Sequence, residues 1–143
     1  MIDIIHVMKT SAPSLLPILR SDLQGEVMAL LFSHPEQQYT VSQIADATRA
    51  SLPTVSREVN RLNQSGLVTV QNVGRTRMVQ AKVDNPVGQA MRQLILVTYG
   101  PVPVLRDTLQ GVSNIEGAAI YGSWASRRSG VAGHVPNDID VLV

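Results

Sequence analysis

The chain contains no cysteine, which removes disulfides and thiolate zinc sites from consideration. Aromatic residues account for only 3% of the 143 positions, with a single Phe and a single Trp, so Leu, Val, Ile and Ala must fill the interior. Charged residues are also few, at 16% against 44% hydrophobic, a balance that describes a core-forming globular chain rather than a disordered one. Long apolar runs are missing. The longest late run, Leu94 to Leu105, is too short to span a bilayer and is interrupted by Pro101 and Pro103. The N-terminus has no basic segment followed by an apolar stretch and a small-residue cleavage site. A cytoplasmic protein with no membrane partner is therefore expected. His6, His34 and His134 stand apart without ligand spacing and read as surface or loop positions.

The charge that is present is unevenly placed. Between positions 49 and 82, six basic residues (Arg49, Arg57, Arg61, Arg75, Arg77 and Lys82) face one acid, Glu58, a local balance of +5 inside a chain whose total is +1. The length suits one domain, or a small domain followed by a fragment of another, and the second arrangement is the one expected.

The first dozen residues carry no decisive pattern and stay unassigned. From Leu15 the chain reads as helical, with Leu19, Leu23, Val27, Leu30 and Leu31 recurring at three- and four-residue steps until His34-Pro35 ends the run. Thr40 and Gln43 form a capping box for a second helix, with Tyr39 and Ile44 spaced as a hydrophobic staple. Ile44, Ala45 and Ala47 are expected to face inward, and residues 47–50 to make the turn. Ser51 caps a third helix, Pro53 sits in its first turn, and Ser65-Gly66 stops it. Along this helix Val55, Val59 and Leu62 fall on one stripe. Pro53, Thr54, Arg57, Asn60, Arg61 and Gln64 occupy the opposite side. Two strand-like stretches follow, Leu67 to Gln71 and Met78 to Val83, separated by a basic, glycine-containing tip at residues 72–77. A fourth helix is expected from Asn85-Pro86, with Val87, Ala90, Met91, Leu94 and Ile95 as an apolar side that serves either core packing or a dimer interface. Pro101 and Pro103 mark a break, a linker is placed near Gly100, and Val104 to Leu109 read as a short helix exposing Arg106 and Asp107.

Three helices followed by a basic hairpin is the order of a winged helix-turn-helix. The stretch SLPTVSREVNRLNQSGLV resembles the recognition helix and following strand of bacterial winged-helix repressors of the ArsR and MarR type, and the resemblance covers Leu15 to Val83. It implies a mainly α fold with a small β-wing over residues 15–99. It also implies a transcription regulator that binds duplex DNA as a homodimer and needs no cofactor to do so. On that reading Arg57 reads bases from the half of the helix that enters the major groove, and Arg61 reaches a phosphate or a base. Asn60 and Gln64 lie on the same outward side, able to hydrogen-bond base edges or phosphates. Thr54 and Ser56 bond phosphate, and Arg75 and Arg77 touch the backbone or minor groove from the wing. A winged helix used as a protein–protein module is the competing reading.

A second motif lies near the C-terminus. Gly117 to Tyr121 form a small apolar strand running into Gly122-Ser123, and after a spacer the chain reads Asn137-Asp138-Ile139-Asp140-Val141. Strand alternation would set Asp138 and Asp140 on one face, a pair suited to divalent ions, beside a Gly-Ser turn suited to phosphates. This order resembles the start of a polymerase-beta-type minimal nucleotidyltransferase, an α/β fragment over residues 100–143. The resemblance implies that Gly122 and Ser123 hold a nucleoside triphosphate and that Asp138 and Asp140 bind Mg2+. The spacer is longer than in the minimal enzymes, and the third carboxylate that the family places on a later strand has no counterpart before Val143. No catalytic residue is therefore assigned. The expectation is a DNA-binding regulator with an incomplete nucleotidyltransferase-like segment. The alternative is a nucleotidyltransferase in a longer protein, targeted by its winged helix. Arg127 and Arg128, in a glycine-rich loop, read as phosphate contacts or solvated loop residues.

Overall fold

The computed structural model describes residues 19–143, so the unassigned first dozen residues and the expected helical start at Leu15 lie outside the described residues. The chain divides into two compact units, one spanning Leu23–Gly100 and the other Pro101–Val143 with residues 19–22.

In the first unit, α1 (Asp22–Ser33, its first residue belonging to the other unit) buries Val27, Met28, Leu31 and Phe32 and ends before His34-Pro35, as the proline dictates. Leu19 is buried but precedes the helix, and Leu30 is only half-buried. The expected stripe therefore begins later than the leucine spacing suggests. A short strand, β1 (Tyr39–Thr40), leads into α2 (Val41–Thr48). The capping box is formed: the Gln43 amide donates to Thr40 Oγ1 (3.0 Å) and the Thr40 amide to Gln43 Oε1 (2.9 Å). Ala47 is exposed rather than inward. Thr48 takes the buried place, its hydroxyl satisfied by the Ile44 carbonyl at 2.7 Å. Arg49 adopts a left-handed φ of 53° and ends α2, and Ser51 caps α3 (Leu52–Gln64) by accepting from the Thr54 amide.

α3 buries Val55, Val59 and Leu62, the inward stripe, together with Glu58. Gly66, at φ 76°, turns the chain into β2 (Val68–Val73). β2 pairs antiparallel with β3 (Thr76–Ala81) in register from Val68↔Ala81 to Val73↔Thr76. The tip is therefore the two residues Gly74-Arg75, tighter than the six-residue connection expected. Gly74 supplies the positive φ (63°) that such a short loop needs at its first position. β1 pairs with the other edge of β3, so the wing is a three-stranded sheet of order β1-β3-β2.

α4 (Pro86–Thr98) is capped by Asn85, whose Oδ1 accepts from the Gly88 amide at 2.9 Å. Its buried side is Gly88, Ile95 and Thr98, followed by Tyr99. Val87, Ala90 and Leu94, expected on the apolar side, are exposed. A Cβ at Gly25 would run into the Tyr99 ring, so α1 is thinned to backbone where that ring lies.

In the second unit, Pro101 and Pro103 do not separate elements. They form the first turn of α5 (Pro101–Gln110), where missing amide donors cost nothing. β4 (Ala119–Tyr121) runs into α6 (Gly122–Arg128), and β4 pairs antiparallel with β5 (Asp140–Leu142). Val102, Ile120, Trp124 and Ala125 form a small core with Leu105 against it. α6 was not anticipated, and it moves Arg128 out of the expected loop: the guanidinium is buried and donates to Asp22 Oδ1 at 2.7 Å. Arg127, half-buried, donates to the Val131 carbonyl at 2.7 Å. Among the described residues no helix is long and apolar enough to cross a membrane.

Candidate nucleic-acid interface

The starts of α2 and α3 and the hairpin tip line one open recess of about 440 Å³, bounded by Thr40, Val41, Ser42, Leu52, Pro53, Ser56, Arg75, Thr76 and Arg77. Local sequence explains how it is built. The Thr40 and Ser51 caps fix the starts of α2 and α3, and the two-residue turn holds Arg75 out at the end of the wing.

The polar residues of α3 divide by what they touch. Arg57 and Gln64 are exposed, and Arg57 makes only a long bond (3.4 Å) to Thr54 Oγ1. Thr54 is half-buried and shares a 2.7 Å hydroxyl contact with Ser51, so it belongs to the helix cap. Arg61 is half exposed and lies 3.5 Å from Glu58 Oε2. Glu58, 2% exposed, also accepts from Gln24 Nε2 of α1 at 2.9 Å. Its carboxylate holds Arg61 at one end and ties α3 to α1 at the other. Arg77 is half-buried and donates twice across the groove, through Nη1 to Ser56 Oγ (3.2 Å) and through Nη2 to Asn60 Oδ1 (2.7 Å). Arg75 is exposed. The wing's two arginines thus differ: Arg75 stands at the tip, whereas Arg77 braces the sheet against the helix.

Glu58 was missed by sequence reasoning although its signal was present, since it lies three residues after Val55 on the inward stripe.

In the C-terminal unit the pairing of Tyr121 with Asp140 sets the Gly122 turn against the Asp140 carboxylate, so closely that a Cβ at Gly122 would collide with it. Gly122 has φ 78°, and Ser123 is exposed in the first turn of α6. Asp138 does not join Asp140 on a strand face. It is exposed and precedes β5, which starts only at Asp140. Among the described residues no three His, Asp or Glu side chains gather as a metal site.

Residues 26–70 match the family model described as bacterial regulatory protein, arsR family. They run from within α1 to the first half of β2. Among solved structures, a mutant of MepR from Staphylococcus aureus bound to an oligodeoxyribonucleotide is 18% identical, covers 73% of this chain and 75% of its own, and superposes with a TM-score of 0.51. MepR itself, a transcription regulator of the S. aureus multidrug efflux pump MepA, is 20% identical over 66% of this chain and 67% of its own, at 0.45. BpsR of Bordetella bronchiseptica, whose DNA binding is regulated by 6-hydroxynicotinic acid, is 20% identical over 66% and 64%, also at 0.45. No curated protein matches the chain. The fold is a winged helix-turn-helix, mostly helical with a small antiparallel wing.

Proposed function

We propose that the Leu23–Gly100 unit is the duplex-DNA-binding module of a cytoplasmic transcription regulator. α3 lies in the major groove, and the Gly74-Arg75 tip lies against the neighbouring backbone or minor groove. The observation that carries this reading is the exposed polar and basic side of α3, with Arg57, Asn60, Arg61 and Gln64, together with the recess that Ser56 at the start of α3 shares with Arg75 and Arg77 of the wing. Cationic side chains supply affinity by releasing counterions from phosphates, and base edges in the major groove supply specificity. Arg57 is the principal base reader, Arg61 and Arg75 contact phosphate or base, and Thr54 and Ser56 lie close to the backbone. The module acts as a homodimer, to which α4 contributes its exposed row of Val87, Leu94 and Val97. Fluorescence anisotropy with labelled duplex over a salt series tests the reading. Affinity should fall steeply as salt rises, and Arg57→Ala with Arg61→Ala should abolish sequence preference. Absence of binding even at low salt would reject it.

A second reading concerns the C-terminal unit and rests on the Gly122 turn lying against Asp140. It assigns Gly122 and Ser123 to a nucleoside triphosphate. Mg2+ favours several hard oxygen ligands, and this unit brings one carboxylate to the turn, with Asp138 off the strand. The described residues do not fit a metal centre, so no transfer step is derived. Trp124, the only Trp, sits beside the turn in α6 and serves as the probe. Titration with Mg-ATP should alter its fluorescence, and should not do so after Ser123→Ala with Asp140→Asn. A flat titration of the wild type would remove this reading.

A further inference from the structure

The contact between Arg77 and Asn60 has a chemical consequence for what α3 can read. A guanidinium carries only hydrogen-bond donors. The atom of Asn60 that meets Arg77 Nη2 at 2.7 Å must therefore be the carbonyl Oδ1, and the amide orientation is fixed by chemistry. The bond is short and charge-assisted, the stronger kind. Arg77 is itself held at its other nitrogen by Ser56 Oγ at 3.2 Å, so both ends of the fork are anchored on α3. Asn60 is exposed, and with its carbonyl engaged by the wing its Nδ2 hydrogens are the part left to donate.

We infer that Arg77 is a positioning residue that sets the base preference of Asn60, making it a donor to acceptor-bearing base edges rather than an adenine reader. An asparagine that grips adenine must turn carbonyl and amino group to the same edge, accepting from N6 while donating to N7. Here the carbonyl is engaged by the wing. The remaining donor suits guanine, with acceptors at both N7 and O6, or thymine O4, whereas adenine offers it N7 alone beside an N6 donor that the engaged carbonyl leaves unmatched. The inference rests on the DNA-binding reading above and adds to it a division of labour: Arg75 serves the DNA directly, whereas Arg77 acts through Asn60.

The test is selection from a randomised duplex pool with wild type, Arg77→Ala, Arg77→Lys and Asn60→Asp, each checked for folding by circular dichroism. Wild type should enrich guanine or thymine at one position per half-site, by roughly five- to tenfold over adenine, the low end for a single base contact. Arg77→Ala should admit adenine at that position alone. Arg77→Lys, still a pure donor, should retain the preference. Asn60→Asp turns the hydrogen bond with Arg77 into an ion pair and leaves an acceptor in place of the amide donor, and should shift the position towards cytosine or adenine, whose edges donate. If Arg77→Ala instead weakens all sequences evenly and lowers the salt slope by about one per protomer, Arg77 contacts phosphate and the inference falls. Enrichment of adenine by the wild type at the Asn60 position overturns it as well. A wild type that binds and enriches no duplex removes the DNA reading itself, and this inference with it.

Discussion

Asp22 and Arg128 meet at 2.7 Å with 4% and 6% of their side chains exposed, separated by 106 residues of chain. Removing one partner of a buried pair leaves an uncompensated charge in a poor solvent for it, at a cost of about 3–5 kcal/mol. Asp22→Ala and Arg128→Ala should each destabilise the C-terminal unit by that amount, read from thermal unfolding followed by Trp124 fluorescence. Replacing both together with apolar residues of similar volume should recover most of the loss, because no lone charge remains buried. Nothing local in the sequence announces this pair. Asp22 reads as an ordinary acid in a first helical turn, and Arg128 as one of two arginines among glycines. The exposure of Arg57 and Arg75 is legible because exposed cations need no partner, whereas Arg77, Glu58 and Arg128 acquire their contacts only from residues brought close by folding.

At the level of elements, the wing shows where pattern reading succeeds and where it stops. The β-branched residues of β2 and β3, the Thr40 and Ser51 caps and the helix start at Asn85-Pro86 are visible because their signals lie within a few residues of the atoms they act on. In sequence the tip reads as six residues because Asn72 and Thr76-Arg77 have loop composition, although cross-strand pairing carries them into the ladder. α6 is illegible for a related reason: seven residues beginning Gly-Ser are too few to give a periodic signal, and packing of Trp124 and Ala125 supplies the helix instead. The two-residue tip gives a sharp expectation. Gly74→Val should cost about 1–2 kcal/mol, since a side chain on that left-handed residue crowds the carbonyl, while Gly74→Asn should cost much less. Chemical denaturation compares the two. The same Val variant should lower DNA affinity through a displaced Arg75, with base preferences unchanged.

For the whole molecule, the two units have separate cores, and the only Trp belongs to one of them. Two probes can therefore follow one unfolding experiment independently. Leu62→Ala, at a site 1% exposed in α3, should cost about 2–5 kcal/mol and lower the far-ultraviolet circular dichroism transition. The Trp124 fluorescence transition should stay in place. Coincident shifts of both signals would show a single cooperative body instead. Gly25 and Tyr99 bear on this organisation in another way. One lies near the start of the Leu23–Gly100 unit and the other near its end, and the ring of the second rests on the bare backbone of the first. The polypeptide thus enters and leaves the unit at neighbouring points, the geometry of an insertable cassette, which can be spliced into a host loop without prising apart the ends of the host chain.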